Sequence, residues 1–208
     1  MYLMPRLGTQ DRRDRFKRRN AGSSGTNSQD LLVLVGRLFV DSKALAAGSV
    51  TGNTSSYTYA GIPMLLAALR ALVVEYEFML NPSATAEPPD ISSREFIQRY
   101  HVRGRLLQDF EDLLELRNEI IHPAHVMTGT PDNWPNYLRR VKELGLLNTT
   151  GAPDHDYGLF HQMASHRLFA WSIGIVRSLY EAVITSDPQR APLFMPFLET
   201  FNAPWFKE

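Results

Sequence analysis

The chain has 208 residues, with 22 Lys or Arg, 22 Asp or Glu and no cysteine, a length that suits one domain with a self-sufficient core. Without thiols, disulfides, thiolate metal sites and cysteine nucleophiles are excluded, and a reducing, cytoplasmic setting is expected. The zero formal charge joins two unlike parts: residues 1–20 carry seven basic and two acidic side chains, net +5, and the other 188 carry 15 basic and 20 acidic, net −5.

Residues 1–26 are expected to form a basic arm and linker, ahead of a single helical domain over 27–208. MYLMPRL leads directly into DRRDRFKRRN, which leaves no apolar core for a secretory signal. The arm reads either as a solvated tail or as a phosphate-contacting segment through Arg12 and Arg13. An acidic body opposes a broad nucleic-acid face, so an RNA partner would be met locally. AGSSGTNS is small and polar and serves as the linker.

Asn27, with Asp30 three residues on, predicts a helix start, and Leu31, Leu34, Val35, Leu38 and Phe39 continue it to about Ala47. LLVLV alone also suits a strand, but no neighbouring segment alternates cleanly to pair with it. GSVTGNTSSYTYAG reads as a turn-rich loop. A second helix is expected from Ile62 to Leu80, with Leu65, Leu66, Leu69, Leu72, Val73, Tyr76 and Leu80 on one wide stripe.

Pro88 and Pro89 stop it, and Ser92 with Glu95 forms a capping box for a third helix from about Ser92 to Ile121. That helix would be roughly 45 Å long, bury Phe96, Leu106, Leu107, Phe110, Leu113, Leu114, Ile120 and Ile121, and end at Pro123. A short helix near Asn136–Leu147 and a fourth long one from Tyr157 to Thr185 follow. The fourth carries Phe160, Met163, Ala164, Leu168, Trp171, Ile175, Leu179, Ala182 and Val183 on its stripe. The aromatic, proline-rich tail APLFMPFLETFNAPWFKE is expected to pack across the helices without forming an element. No apolar run reaches the roughly 20 uncharged residues of a membrane span. The fold class is therefore all-α, an antiparallel four-helix bundle with a short extra helix.

The chemistry-bearing stretch is LRNEIIHP, Leu116–Pro123. Leu114, Arg117 and Ile121 are three and four residues apart, which places Arg117 on the inner stripe, where it requires an anion or a wet cleft. Pro123 disfavours helical geometry at residue 122 and frees the His122 imidazole to turn toward the bundle end, so that Arg117, Asn118 and His122 line one hollow. The structural alternative is a histidine favourable to the helix dipole and an arginine paired with Glu111 or Asp112. Glu119 with His122 also reads as half of a di-iron Glu-x-x-His site, but no second copy exists in the chain. His122 with His125 lacks a third metal ligand of obvious spacing. His161 is expected to be a core histidine, and Trp171 and Trp205 core residues. No Gly-rich phosphate loop, GxSxG or HExxH is present.

Arg117, Asn118, three residues and His122 resemble the signature of HEPN domains, helical bundles that include metal-independent endoribonucleases of toxin, antiviral-defence and RNA-processing systems. The resemblance covers roughly Asn27 to Ser186. Two positions depart from the pattern: Ala124 stands where some members have tyrosine, and Glu119 is more polar than usual. The resemblance implies His122 as general acid or base, Arg117 as phosphate clamp and Asn118 as orienting residue. Glu119 and His125, with Arg12 and Arg13 of the arm, are the expected substrate contacts. It further implies a homodimer with a composite site, RNA as substrate, a cognate antitoxin or regulatory protein, and no metal or other cofactor. The products would be a 2′,3′-cyclic phosphate and a 5′-hydroxyl.

Overall fold

The computed structural model describes residues 27–80, 95, 97, 98, 100, 102–123, 133–148, 158–188 and 191–206. Among them are seven α-helices: α1 (Asn27–Ala47), α2 (Thr58–Leu80), α3 (Gly104–Ile121), α4 (Asn136–Glu143), α5 (Leu159–Met163), α6 (His166–Ser186) and α7 (Ala191–Phe201). A 3₁₀ turn, Pro204–Phe206, closes the series. The described residues contain no β-strand, only an isolated bridge between Thr54 and Ser165. The fold is all-α, as the periodicity predicts.

α1 keeps its expected bounds, but its buried ridge is rotated. Ser28, Leu32, Val35, Phe39, Ser42 and Ala46 face inward, three and four residues apart, while Leu34 is 40% exposed. Two serines join the ridge because each has a partner across it. Ser28 donates its N–H to Glu75 Oε1 at 3.1 Å and its hydroxyl to Glu75 Oε2. This carboxylate from α2, rather than a local capping box alone, meets the positive end of α1. Ser42 Oγ is 2.9 Å from His166 Nδ1, and the imidazole stacks on Phe39 with centroids 4.8 Å apart.

α2 starts at Thr58, four residues before the expected Ile62, with Pro63 inside it. The early start is fixed by tertiary bonds invisible to local pattern. The Thr58 hydroxyl donates to the carbonyls of Ser55 and Ser165, at 3.0 and 2.8 Å. Gly61 lets α6 lie close: a Cβ there would fall 2.1 Å from Cζ of Phe169, itself fully buried. Gly61→Ala is expected to cost about 1–3 kcal/mol through overpacking, measured as a lowered midpoint in urea unfolding with an unchanged slope.

The expected 30-residue third helix is not continuous. Ser92 and Phe96 lie outside the described residues, and residues 95, 97 and 98 are helical. Arg103 is extended (φ −138°, ψ 173°) and Gly104 turns the chain with φ 64° into α3, which at 18 residues is about 27 Å long. Glycine is the residue that reaches this φ without strain.

The fourth long helix is likewise divided, at Ala164–Ser165. Asn53 ends it from across the fold: its carbonyl accepts from His166 N and its side-chain oxygen from Arg167 N, both at 2.9 Å. Ser165 Oγ accepts from Leu168 N. Three of the orphan donors of a new helix start are thereby satisfied. Asn53 Nδ2 also donates to Asn148 Oδ1 and Ser165 Oγ, at 2.8 and 2.9 Å, tying three connections together. The tail, expected to lack an element, forms α7 and the 3₁₀ turn. Phe197, Phe201 and Phe206 enter the core, while Trp205 remains 42% exposed with its edge over Gly36.

One helix among the described residues, α6, is long and apolar enough to cross a membrane, and half of its apolar window is buried inside the fold. Its inward residues, Leu168, Phe169, Ile173, Val176, Leu179, Tyr180 and Val183, make it the central core helix, which accounts for that composition.

Candidate active site

α3 carries the motif in its last turn, and its buried arc decides where each side chain goes. Phe110, Asp112, Leu113, Leu116 and Glu119 are buried. Arg117 sits on the edge of this arc, half-buried, and Asn118, about 100° further round, is exposed. Ile121, expected inside, is 40% exposed. The expected inner stripe of Leu114, Arg117 and Ile121 is thus displaced toward Leu113, Leu116 and Glu119, because α4 supplies partners for the two acids in the buried arc.

Arg117 Nη1 donates to Asn118 Oδ1 at 3.1 Å. Asp112, the carboxylate that could have sealed the guanidinium, is instead held by Arg140 of α4: Nη1 donates to Asp112 Oδ2 at 2.7 Å, and Nη2 to Asp109 Oδ1. The rest of the Arg117 fork has no hydrogen-bond partner among the described residues. Two parallel N–H groups on a guanidinium match a phosphate edge.

His122 caps α3 with φ −130° and ψ 75°, outside the helical region, and its N–H donates to Asn118 O at 2.7 Å. The chain leaves the axis here because Pro123 disfavours the helical conformation in the residue before it. The imidazole is exposed and has no side-chain hydrogen bond among the described residues. Arg117, Asn118 and His122 therefore lie within one exposed helix end, and the Asn118 backbone and side chain contact both flanking residues.

Glu119 has a different place. It is 3% exposed, and Tyr137 Oη donates to its Oε2 at 3.0 Å. Its carboxylate faces α4, away from the solvent where a substrate would lie. Burial, and the Glu119 carboxylate as acceptor, hold the Tyr137 phenol well above its ordinary pKa. A buried Glu119 and an exposed His122 do not converge as a Glu-x-x-His metal pair, and no group of three His, Asp or Glu side chains able to hold a metal occurs among the described residues. Arg12, Arg13 and His125 lie outside the described residues.

His161, expected in the core, is exposed and lines a cavity of about 400 Å³ with Thr51, Thr54, Asn148 and Gln162. The break at Ala164–Ser165 resets the helical phase and turns this side chain outward. A second cavity, of about 460 Å³, opens between α6, α7 and the 3₁₀ turn. Neither is lined by Arg117, Asn118 or His122.

The clamp between α3 and α4 escaped the sequence reading. Its signal was present: Asp109, Asp112, Leu116 and Glu119 recur at three- and four-residue steps, an acidic stripe merging with the apolar one and requiring a cation and a donor from a partner helix. No protein-family model, curated protein or solved structure matches the chain.

Proposed function

We propose that this chain is a metal-independent endoribonuclease of the HEPN kind, working as a homodimer in which two copies of Arg117, Asn118 and His122 face one RNA phosphodiester. The observation that carries this reading is that a half-buried guanidinium with no carboxylate partner among the described residues and an exposed imidazole share one helix end.

In this scheme His122 of one copy takes the proton of a ribose 2′-hydroxyl as its oxygen attacks the adjacent phosphorus. The P–O5′ bond breaks, and the imidazolium of the second copy protonates the departing 5′-oxygen. Arg117 holds the charge that accumulates on the non-bridging oxygens. Asn118 aligns Arg117 through the bond to its Oδ1. The products are a 2′,3′-cyclic phosphate and a 5′-hydroxyl, and the imidazole and guanidinium together supply both proton transfer and charge stabilisation.

The test is cleavage of a mixed-sequence RNA in excess EDTA, with end-group analysis. Cyclic-phosphate ends support the reading; absence of cleavage, or 5′-phosphate ends, refutes it. A different reading takes the chain as a catalytically silent helical module that binds RNA or a partner protein, such as an antitoxin or regulator. It is favoured by the lack of an orienting hydrogen bond to the imidazole among the described residues, since a general base is ordinarily held by a third group. RNA binding without cleavage would select it.

The basic arm enters as added RNA affinity. Removing residues 1–20, net +5, is expected to make the salt dependence of RNA binding shallower by about 0.7 in logarithmic slope for each lost phosphate contact. An unchanged slope would dispose of a role for Arg12 and Arg13.

A further inference from the structure

α6 presents a second constellation, independent of the RNA reading. Where α7 and the 3₁₀ turn fold back over α1 and α6, a cavity of about 460 Å³ opens to the surface, a size that suits a small ligand. Its floor is aromatic. Phe39 and Phe201 are each 1% exposed and Phe206 9%; Phe206 lies 6.2 Å from Phe39 and 5.2 Å from Phe201, centroid to centroid. Ile173 forms the wall.

The side along α6 is left open by sequence. A Cβ added at Gly174 would meet nothing within 4 Å, and Ala170 is the lining residue one turn before it. Arg177, three residues beyond Gly174, stands on the same face. Its Nε donates to Glu181 Oε1 at 3.1 Å, which fixes the guanidinium by its inner edge. Arg177 is one of the lining residues, and its terminal nitrogens have no partner among the described residues, which leaves both for the two-point hydrogen bond of a carboxylate.

We propose that this cavity binds a small amphiphilic carboxylate, with an aromatic or short acyl body over Phe206, Ile173 and Ala170, backed by the buried rings of Phe39 and Phe201, and the carboxylate on the outer edge of Arg177. An apolar floor rejects a fully polar anion, because desolvating charge there is costly. The guanidinium at the mouth discriminates against a neutral ligand of the same shape. Glu181 restrains Arg177 and tempers its charge, which limits affinity for small inorganic anions.

The test is calorimetric titration of the full-length protein with phenylacetate and octanoate, against 2-phenylethanol, 1-octanol and acetate. Each carboxylate is expected to bind roughly tenfold or more tightly than its alcohol, and than acetate, given the strength of hydrogen bonds to charged groups. Arg177→Gln should erase the preference for the carboxylates over the alcohols. Gly174→Leu should remove binding of both classes by filling the cavity, and it occupies an exposed helical site where leucine is the better helix former, so thermal unfolding should not fall. Failure of both carboxylates to bind, equal binding of acids and alcohols, or wild-type selectivity in Arg177→Gln overturns the proposal. Each readout is independent of RNA cleavage.

Discussion

His122→Ala is expected to lower RNA cleavage by roughly 10²–10⁴-fold, the range of a lost general acid or base, with the unfolding midpoint unchanged. The unchanged midpoint follows from position: the imidazole is exposed, lies past the helix end and makes no side-chain hydrogen bond among the described residues, and such surface changes usually stay within about 0.5 kcal/mol. Arg117→Ala should cost about 10²–10³-fold, as expected for loss of one charge-stabilising donor group. Arg117→Lys should recover only part of this, since an ammonium cannot present two parallel donors. If both copies serve one phosphodiester, the double variant should be scarcely worse than the worse single one, because residues acting as a unit are not additive. The measurement is single-turnover cleavage of a defined RNA in EDTA. Equal rates in wild type and His122→Ala would end the nuclease reading.

Local signals made part of this molecule legible. α1 begins and ends where its periodicity places it, and α4 begins at Asn136 as expected. Pro123 ends α3 for the reason a proline ends a helix, and His122 leaves the helical region as a result. Two of the misread boundaries share one cause: each is set by a distant group. Ser165 starts α6 because Asn53 accepts from His166 and Arg167, and nothing near Ser165 in sequence resembles a capping box. Thr58 begins α2 because the Ser165 and Ser55 carbonyls receive its hydroxyl. Gly104 was the readable exception, since a glycine within a supposed helix interior costs about 1 kcal/mol and marks the turn. At the site, the spacing placed Arg117 and Ile121 on the inner stripe, whereas Arg117 lies at its edge, Ile121 is 40% exposed, and Glu119, expected to contact substrate, is buried. The buried arc is decided by Tyr137 and Arg140, whose approach the sequence of α3 alone does not encode.

The largest stability effect is expected at that clamp. Arg140 is 24% exposed in its side chain, and Asp109 and Asp112 are 13% and 10% exposed. Arg140→Ala leaves Asp112 without a cation and Asp109 with only the exposed Arg105, whose Nε lies 3.7 Å from its Oδ2, and should cost about 2–4 kcal/mol, somewhat below the full cost of breaking a wholly buried pair because water and Arg105 reach one edge. Asp112→Asn should behave oppositely, changing stability at neutral pH by less than about 1 kcal/mol. Its amide oxygen can still accept from Arg140 Nη1, and Asp109 retains the counter-charge. The pH dependence separates the two. Burial raises the Asp112 carboxyl above its ordinary value of 3.8, outweighing the Arg140 charge that lowers it. A raised folded-state pKa means that protonation favours the fold. The contribution is full below the unfolded value and is lost as pH rises through the folded one, so at neutral pH the ionised carboxyl is a net cost. Thermal melts between pH 3 and 7 should therefore show a wild-type contribution, growing on acidification, that Asp112→Asn lacks. If Asp112→Asn is as damaging as Arg140→Ala at pH 7, the charge itself docks α4. Hydrogen exchange should locate the damage in either case. With Arg140 gone, residues 136–143 of α4 should exchange faster before α3 does, because the Tyr137–Glu119 bond, the buried Leu138 and Val141 and the Lys142–Trp134 contact are what remain to hold them. The helix end that bears Arg117 and His122 would then lose its support from the α4 side first.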